Sequence, residues 1–298
     1  MSAREGQTYA GSSAAVRYAN LVKLPHTLFA LPFALVGVVL ASRQAPVTVR
    51  AVLWVAVAFG AARFAAMAFN RIVDRDVDAL NPRTASREIP SGVISPRAAG
   101  VAVIVASLVF VVAAWRLNPL CLALSPLALA WVLGYSYSKR FTRFAHLWLG
   151  LGLGIAPAGG YLAITGAWSD PWWVLPALSL AVMSWVAGFD IFYALQDVSF
   201  DRKHGLHSIP AAIGEPRAIV VARVMHVITV LALAAVGVGV GGGAWYLAGV
   251  AVVAGLLVYE HSLVRPHDLG RLDAAFFTMN GVISIVFLAF VLAERLLS

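Results

Sequence analysis

The feature that limits this chain most is a series of long apolar stretches recurring from one end to the other. A helix needs about 20 mostly apolar residues to cross the hydrocarbon core of a bilayer. Windows of that length fit residues 18–42, 50–73, 96–116, 119–138, 144–166, 171–193, 216–240, 243–263 and 272–296. Backbone in lipid must satisfy its own hydrogen bonds, and these stretches are too long and uniformly apolar for alternating barrel strands, so they predict helices. Only 12% of the 298 residues are charged. A soluble domain carries about 25%, so this chain could not cover a water-facing surface. The expectation is an all-α, polytopic membrane protein with about nine spans around a central cavity, a single transmembrane domain over residues 1–298. Residues 1–15 lack the apolar core of a signal peptide, so no processing is expected.

The net charge of +8 belongs to the loops of such a protein, and no nucleic-acid partner is implied. Sixteen Lys and Arg fall on the side of the N-terminus and the loops after spans two, four, six and eight; four fall on the other side, and Arg63 and Arg223 lie within spans. The rich side should be cytoplasmic, placing the protein in a bacterial inner membrane with the functional face inward. Cys121 is the one cysteine and sits in an apolar run, so it supplies no internal disulfide and reads as packing. Trp168, Trp172 and Trp173 read as an interfacial anchor on the outer side. Gly150, Gly152, Gly154, Gly159 and Gly160 do not fit a phosphate-binding fingerprint and read as close helix packing.

Two cytoplasmic loops are longer than the rest, about 74–95 and 197–215. Each begins with aspartates at a helix end and contains Ile-Pro followed by a glycine: Ile89-Pro90 with Gly92, and Ile209-Pro210 with Gly214. Asp74 and Asp78 precede Asp197 and Asp201 by one common offset, and Tyr135 and Tyr259 stand at nearly that offset. This predicts two four-helix repeats plus one helix, in parallel orientation. Such a repeat would set the two aspartate clusters across a shared cavity.

Asn70, Asp74 and Asp78 are spaced by four and share a helix face, with Asp76 pointing elsewhere; Asp190, Tyr193, Asp197 and Asp201 are spaced three, four and four on another. Stacked carboxylates repel unless a cation compensates them. Carboxylate and amide oxygens suit magnesium, which takes a few carboxylates and completes its shell with water and phosphate. Arg75, Arg83, Arg87, Lys139, Arg140, Arg202 and Lys203 lie on the same side and could neutralise a diphosphate. The plainer reading, aspartates solvated and paired with local arginines, accounts less well for two clusters of matched spacing. Asp190 sits within a span, where an ionisable group is functional by default. Tyr135-Ser136-Tyr137-Ser138-Lys139-Arg140 reads either as a topology-setting basic end or as an anion site. His26 reads either as an acceptor contact or as a helix-end histidine. His204 and His207 read as solvent-facing or hydrogen-bonded, not as a metal pair.

At these residues the sequence resembles the UbiA family of intramembrane prenyltransferases, over nearly its whole length. The resemblance rests on Asn70, Asp74 and Asp78, on Arg83-Thr84-Ala85-Ser86-Arg87 with Pro90-Ser91-Gly92, on Tyr135 to Arg140, and on Asp190, Tyr193, Asp197 and Asp201. Within the family it is similar to the 4-hydroxybenzoate polyprenyltransferase branch, and its Lys23 to Pro32 stretch is similar to relatives of the futalosine route to menaquinone. The resemblance implies transfer of a polyprenyl group from its diphosphate, through an allylic carbocation, to a small aromatic acid in quinone biosynthesis. It implies Mg2+ held by Asn70, Asp74, Asp78, Asp197 and Asp201. Asp190, Arg140 and Tyr193 would be catalytic, with Arg140 orienting the acceptor carboxylate. Lys23, His26, Arg75, Arg87, Tyr135, Lys139 and Lys203 would contact substrate or diphosphate. The implied partners are a polyprenyl diphosphate, a small aromatic acceptor and the lipid bilayer. Arg71 stands where many relatives have aspartate, and Glu88 where many have proline. Dihydroxynaphthoate, homogentisate, haem or a glycerol phosphate lipid stay open as acceptors, and internal repeats with intramembrane charge also occur in secondary transporters.

Overall fold

The computed structural model describes residues 9–11, 13–23, 27–264, 272 and 278–298. His26 of the expected substrate contacts, and Arg4, Arg265 and Arg271 of the charge asymmetry, lie outside the described residues. The described elements are helical throughout: α1 (Ala14–Leu21), α2 (Thr27–Ala41), α3 (Val49–Val73), α4 (Arg75–Leu80), α5 (Pro96–Leu117), α6 (Pro119–Gly134), α7 (Ala145–Thr165), α8 (Val174–Ala194), α9 (Val198–His204), α10 (Ile209–Ile213), α11 (Glu215–Gly239), α12 (Ala244–Leu263) and α13 (Asn280–Leu297). A 3-10 turn, Tyr135–Arg140, continues α6, and another, Leu195–Asp197, joins α8 to α9.

Among the described residues eight helices are long and apolar enough to cross a bilayer. The expected first span is the exception. It divides into the short α1 and the apolar α2, because the chain leaves α1 through Lys23, whose backbone is left-handed (φ 49°). An apolar window smooths over this residue.

Helix starts are local and readable. Thr48, Ser95, Asn118 and Ser208 each accept a bond from an amide three residues on. Proline then fills a first-turn position after Ser95, Asn118 and Ser208, where no amide partner is needed. The expected duplication is visible as element order. A long helix ending in acids, a short helix carrying more, then two long helices occur as α3–α6 and again as α8, α9, α11 and α12. The tyrosine pair is not matched in setting: Tyr135 opens a half-buried 3-10 turn, whereas Tyr259 is exposed on α12.

α8 is the packing axis. Leu178, Val182, Trp185 and Val186 are fully buried, and Trp185 meets Phe33 of α2 with ring centroids 4.8 Å apart. Phe33 in turn meets Phe287 of α13 at 5.9 Å. α7 approaches both neighbours closely. A Cβ at Gly150 or Gly154 would lie 2.3 or 2.6 Å from backbone oxygens of α8, and one at Gly160 would lie 2.2 Å from a backbone oxygen of α2. The packing reading of these glycines therefore holds at three of five positions. Gly152 makes an ordinary contact and Gly159 faces open space. Without a hydrophobic force between helices in lipid, such backbone contact is a main source of cohesion.

Candidate active site

The two aspartate clusters close the ends of α3 and α8, and both long loops fold over them. Asp74 ends α3, and Asp78 lies on the buried side of the short α4. The Asn70 amide donates to Asp74 Oδ2 at 2.8 Å. Burial and the charge of Asp78 push the Asp74 carboxyl above the ordinary carboxylate value; Lys139, the Asn70 amide and Arg140 pull it back. Asp78 is almost fully buried; one oxygen accepts from Arg87 at 2.7 Å, and the other, Oδ2, is buried without a hydrogen-bond partner.

The second cluster is held from the first loop. Arg83 donates to both oxygens of Asp197, at 3.1 and 2.5 Å, and through its third nitrogen to the Tyr193 hydroxyl at 2.8 Å. Asn81 adds a bond to Asp197 at 3.1 Å. This planar fork is a geometry that lysine could not supply. It ties the loop after α4 to the end of α8, and so one half of the molecule to the other. Asp201, on the buried face of α9, accepts from Ser208 Oγ at 2.8 Å.

Asp190 lies on α8, about two turns before Asp197, and its Oδ2 is 2.6 Å from Nδ1 of His146, a fully buried residue at the start of α7. Lys139 is central: its charge acts on Asp74, Asp190 and Asp201. Tyr135 is within reach of the charges of Asp190 and Asp74. The second loop closes on the same region, with the His207 amide donating to the Lys139 carbonyl at 2.7 Å.

Several expected residues sit elsewhere. Arg140 is exposed; it donates to the Val73 carbonyl at 2.6 Å, pairs with Asp74 at 3.7 Å and lies over the Tyr137 ring, so its contacts belong to the first cluster and not to Asp190. Arg75 pairs with Asp76 on the exposed face of α4, and Lys203 is exposed on α9. Each is one or two positions from an inward aspartate, which on a helix turns a side chain away from it. Lys23 follows α1 directly. Arg71 is buried, and its Nε donates to the Leu21 carbonyl, so this departure from the family pattern fastens α1 to α3. His204 stacks on Phe200 in an exposed turn.

His146, Asn81 and Ser208 are site residues that motif spacing does not single out. His146 is a lone histidine opening an apolar helix, and Asn81 and Ser208 are loop residues with short-range turn roles of their own.

The donor set suits a hard cation. Every group offered is a carboxylate or amide oxygen, and Asp78 Oδ2 is buried with no partner. Among the described residues no three acidic, histidine or cysteine side chains form a ready cage. This fits an ion that takes one or two carboxylates and draws its other ligands from water and phosphate.

Residues 30–282 match the UbiA prenyltransferase family. The 4-hydroxybenzoate octaprenyltransferases of Aromatoleum aromaticum and Alkalilimnicola ehrlichii are each 32% identical to this chain, and each alignment covers 77% of both proteins. The apo structure of a UbiA homolog from Aeropyrum pernix K1 superposes with a TM-score of 0.82 at 36% identity, covering 91% of this chain and 98% of that one. A UbiA homolog from Archaeoglobus fulgidus, bound to DMAPP and Mg2+, shares the fold with a TM-score of 0.75 at 22% identity, covering 94% of this chain and 99% of that one. The paired aspartate motifs, the helical membrane architecture and these likenesses agree: the chain belongs to the UbiA prenyltransferase family and is a multi-pass membrane prenyltransferase.

Proposed function

We propose that this enzyme transfers a polyprenyl group from its diphosphate to a hydroxylated aromatic acid of the 4-hydroxybenzoate type, with magnesium, at the cytoplasmic face of the membrane. The observation that carries the reading is the buried, unpartnered oxygen of Asp78 in the first carboxylate cluster, whose following loop reaches the second cluster through Arg83. The names of the two curated relatives support the acceptor class. The excess of Lys and Arg on one side supports the orientation.

Asn70, Asp74 and Asp78 would hold one metal and Asp197 and Asp201 a second. Bound magnesium would neutralise charge building on the departing diphosphate. Arg87 and Lys139 add fixed positive charge beside the clusters, which favours that charge without reorganisation. The C1–oxygen bond of the donor breaks, leaving an allylic cation. The acceptor ring, its hydroxyl held by Asp190, forms the new carbon–carbon bond through a ring carbon. The ring proton would then pass to a base, the role this reading gives to Asp190. Both loops contact the clusters and would keep water from the cation.

Acceptor class is tested by competition. With labelled geranyl diphosphate, equimolar 4-hydroxybenzoate and dihydroxynaphthoate should yield mainly the prenylated hydroxybenzoate. Exclusive prenylation of the naphthoate would reassign the acceptor while leaving the reaction type intact.

A further inference from the structure

We infer that His146 is a positioning residue for Asp190, and that the second loop sets its orientation through the backbone of Ile209. The inference deepens the aromatic-transfer reading and rests on it. His146 is fully buried in the first turn of α7. Its Nδ1 lies 2.6 Å from Asp190 Oδ2, and its Nε2 lies 3.3 Å from the amide nitrogen of Ile209.

A backbone amide can only donate, so Nε2 is the acceptor and the ring proton sits on Nδ1. That proton is given to Asp190. The second partner of a histidine fixes its tautomer, and here the partner is a loop amide. With one oxygen pinned by a fixed donor, Asp190 holds one rotamer and keeps its other oxygen for the acceptor hydroxyl.

The loop residues beside Ile209 reach residues that the proposed reaction assigns to the diphosphate end of the site. The His207 amide donates to the Lys139 carbonyl at 2.7 Å, and Ser208 Oγ donates to Asp201 at 2.8 Å. Three consecutive residues thus touch Lys139, Asp201 and His146. Seating the loop over the diphosphate groups and fixing Asp190 for the acceptor become one event. A loop seated before the acceptor is engaged would bring Asp190 to its working orientation as the donor is enclosed.

The test separates this role from plain packing. His146→Leu should lower kcat about 10–100-fold, the usual effect of losing an orienting partner. KM for geranyl diphosphate should change far less, because His207 and Ser208 still hold the loop at Lys139 and Asp201. His146→Asn, which keeps a donor near the Nδ1 position, should restore most of the rate. In an Asp190→Asn background His146→Leu should add little, because the two act as a unit. Ile209→Pro removes the amide at a first helical position that tolerates proline; it should lower kcat beyond the Ile209→Ala control. An undiminished loss in the Asp190→Asn background, or equal rises in KM for both substrates, would overturn the inference. The nitrogen shifts of histidine in 15N-labelled protein give a readout that needs no turnover. A His146 ring protonated at Nδ1, with shifts altered by Asp190→Asn and by Ile209→Pro, is expected; protonation at Nε2 overturns the inference. If the wild-type enzyme prenylates no aromatic acid, the reaction reading fails, and the tautomer still decides the role of His146.

Discussion

Asp74 carries its charge in an unfavourable setting. Its carboxyl is raised by burial and by Asp78, so the metal-free protein favours the protonated form more than a free aspartate would. A raised carboxyl stabilises the fold below the unfolded value, and that contribution is lost as pH rises through the folded one. Magnesium takes only the carboxylate, so binding must release a proton. The apparent magnesium affinity should therefore climb with pH through and above the ordinary carboxylate range, then level. Calorimetric titration at several pH values should show this slope, and Asp74→Asn should make it shallower. The same variant should lower activity at least about 100-fold, as loss of a directed electrostatic group does, while unfolding at a higher temperature than wild type without metal. Arg83 behaves in the opposite way. Arg83→Ala leaves Asp197 buried with only Asn81, a loss of the order of 3–5 kcal/mol for a broken buried pair. Thermal unfolding in detergent should show it clearly, and Arg83→Lys should recover only part, since a point charge cannot reach Asp197 twice and Tyr193 as well. The aspartates were legible in the sequence because four-residue spacing states a shared face. Arg75 and Lys203 are exposed and Arg140 meets Asp74 instead of Asp190, because being on the correct side of the membrane does not fix which way a side chain turns. His146 left no pattern at all, since its meaning depends on a contact 44 residues away.

The elements show what spacing can and cannot say about helices in lipid. Eight spans were readable from hydropathy because burial in protein and burial in lipid demand the same apolar side chains. The end of α1 at Lys23 was not, because one left-handed residue changes nothing in a hydropathy window of about 20. The small-residue face of α7 was readable in kind but not in partner. Gly150 and Gly154 lie against the backbone of α8 and Gly160 against that of α2. Gly150→Val should therefore force α7 and α8 apart at a cost of about 1–3 kcal/mol, seen as a lower unfolding temperature. Gly159→Ala, with open space around it, should be close to neutral by the same measurement. Because His146 and Asp190 face each other across that helix pair, Gly150→Val should also cut activity more than its loss of stability alone accounts for.

At the scale of the molecule, two copies of one helical plan bring two acidic helix ends to one membrane face, and the loops cross-link them. The first loop reaches the second cluster through Arg83 and Asn81. The second loop reaches back to Lys139, which stands at the end of the first copy. The duplication was legible from one common offset between aspartate pairs, whereas the crossing of the loops was not, because it depends on where the halves meet. On the proposed reading these joined clusters expel diphosphate and hand the prenyl group to an aromatic ring. The direct measurement uses purified protein in lipid vesicles with labelled geranyl diphosphate, magnesium and 4-hydroxybenzoate, scoring organic-extractable aromatic product and released diphosphate together. Equimolar product and diphosphate are expected, both lost on chelation and in an Asp78→Asn, Asp197→Asn double variant. Product that persists in that double variant, or no diphosphate release from donors of any length, would contradict that reading.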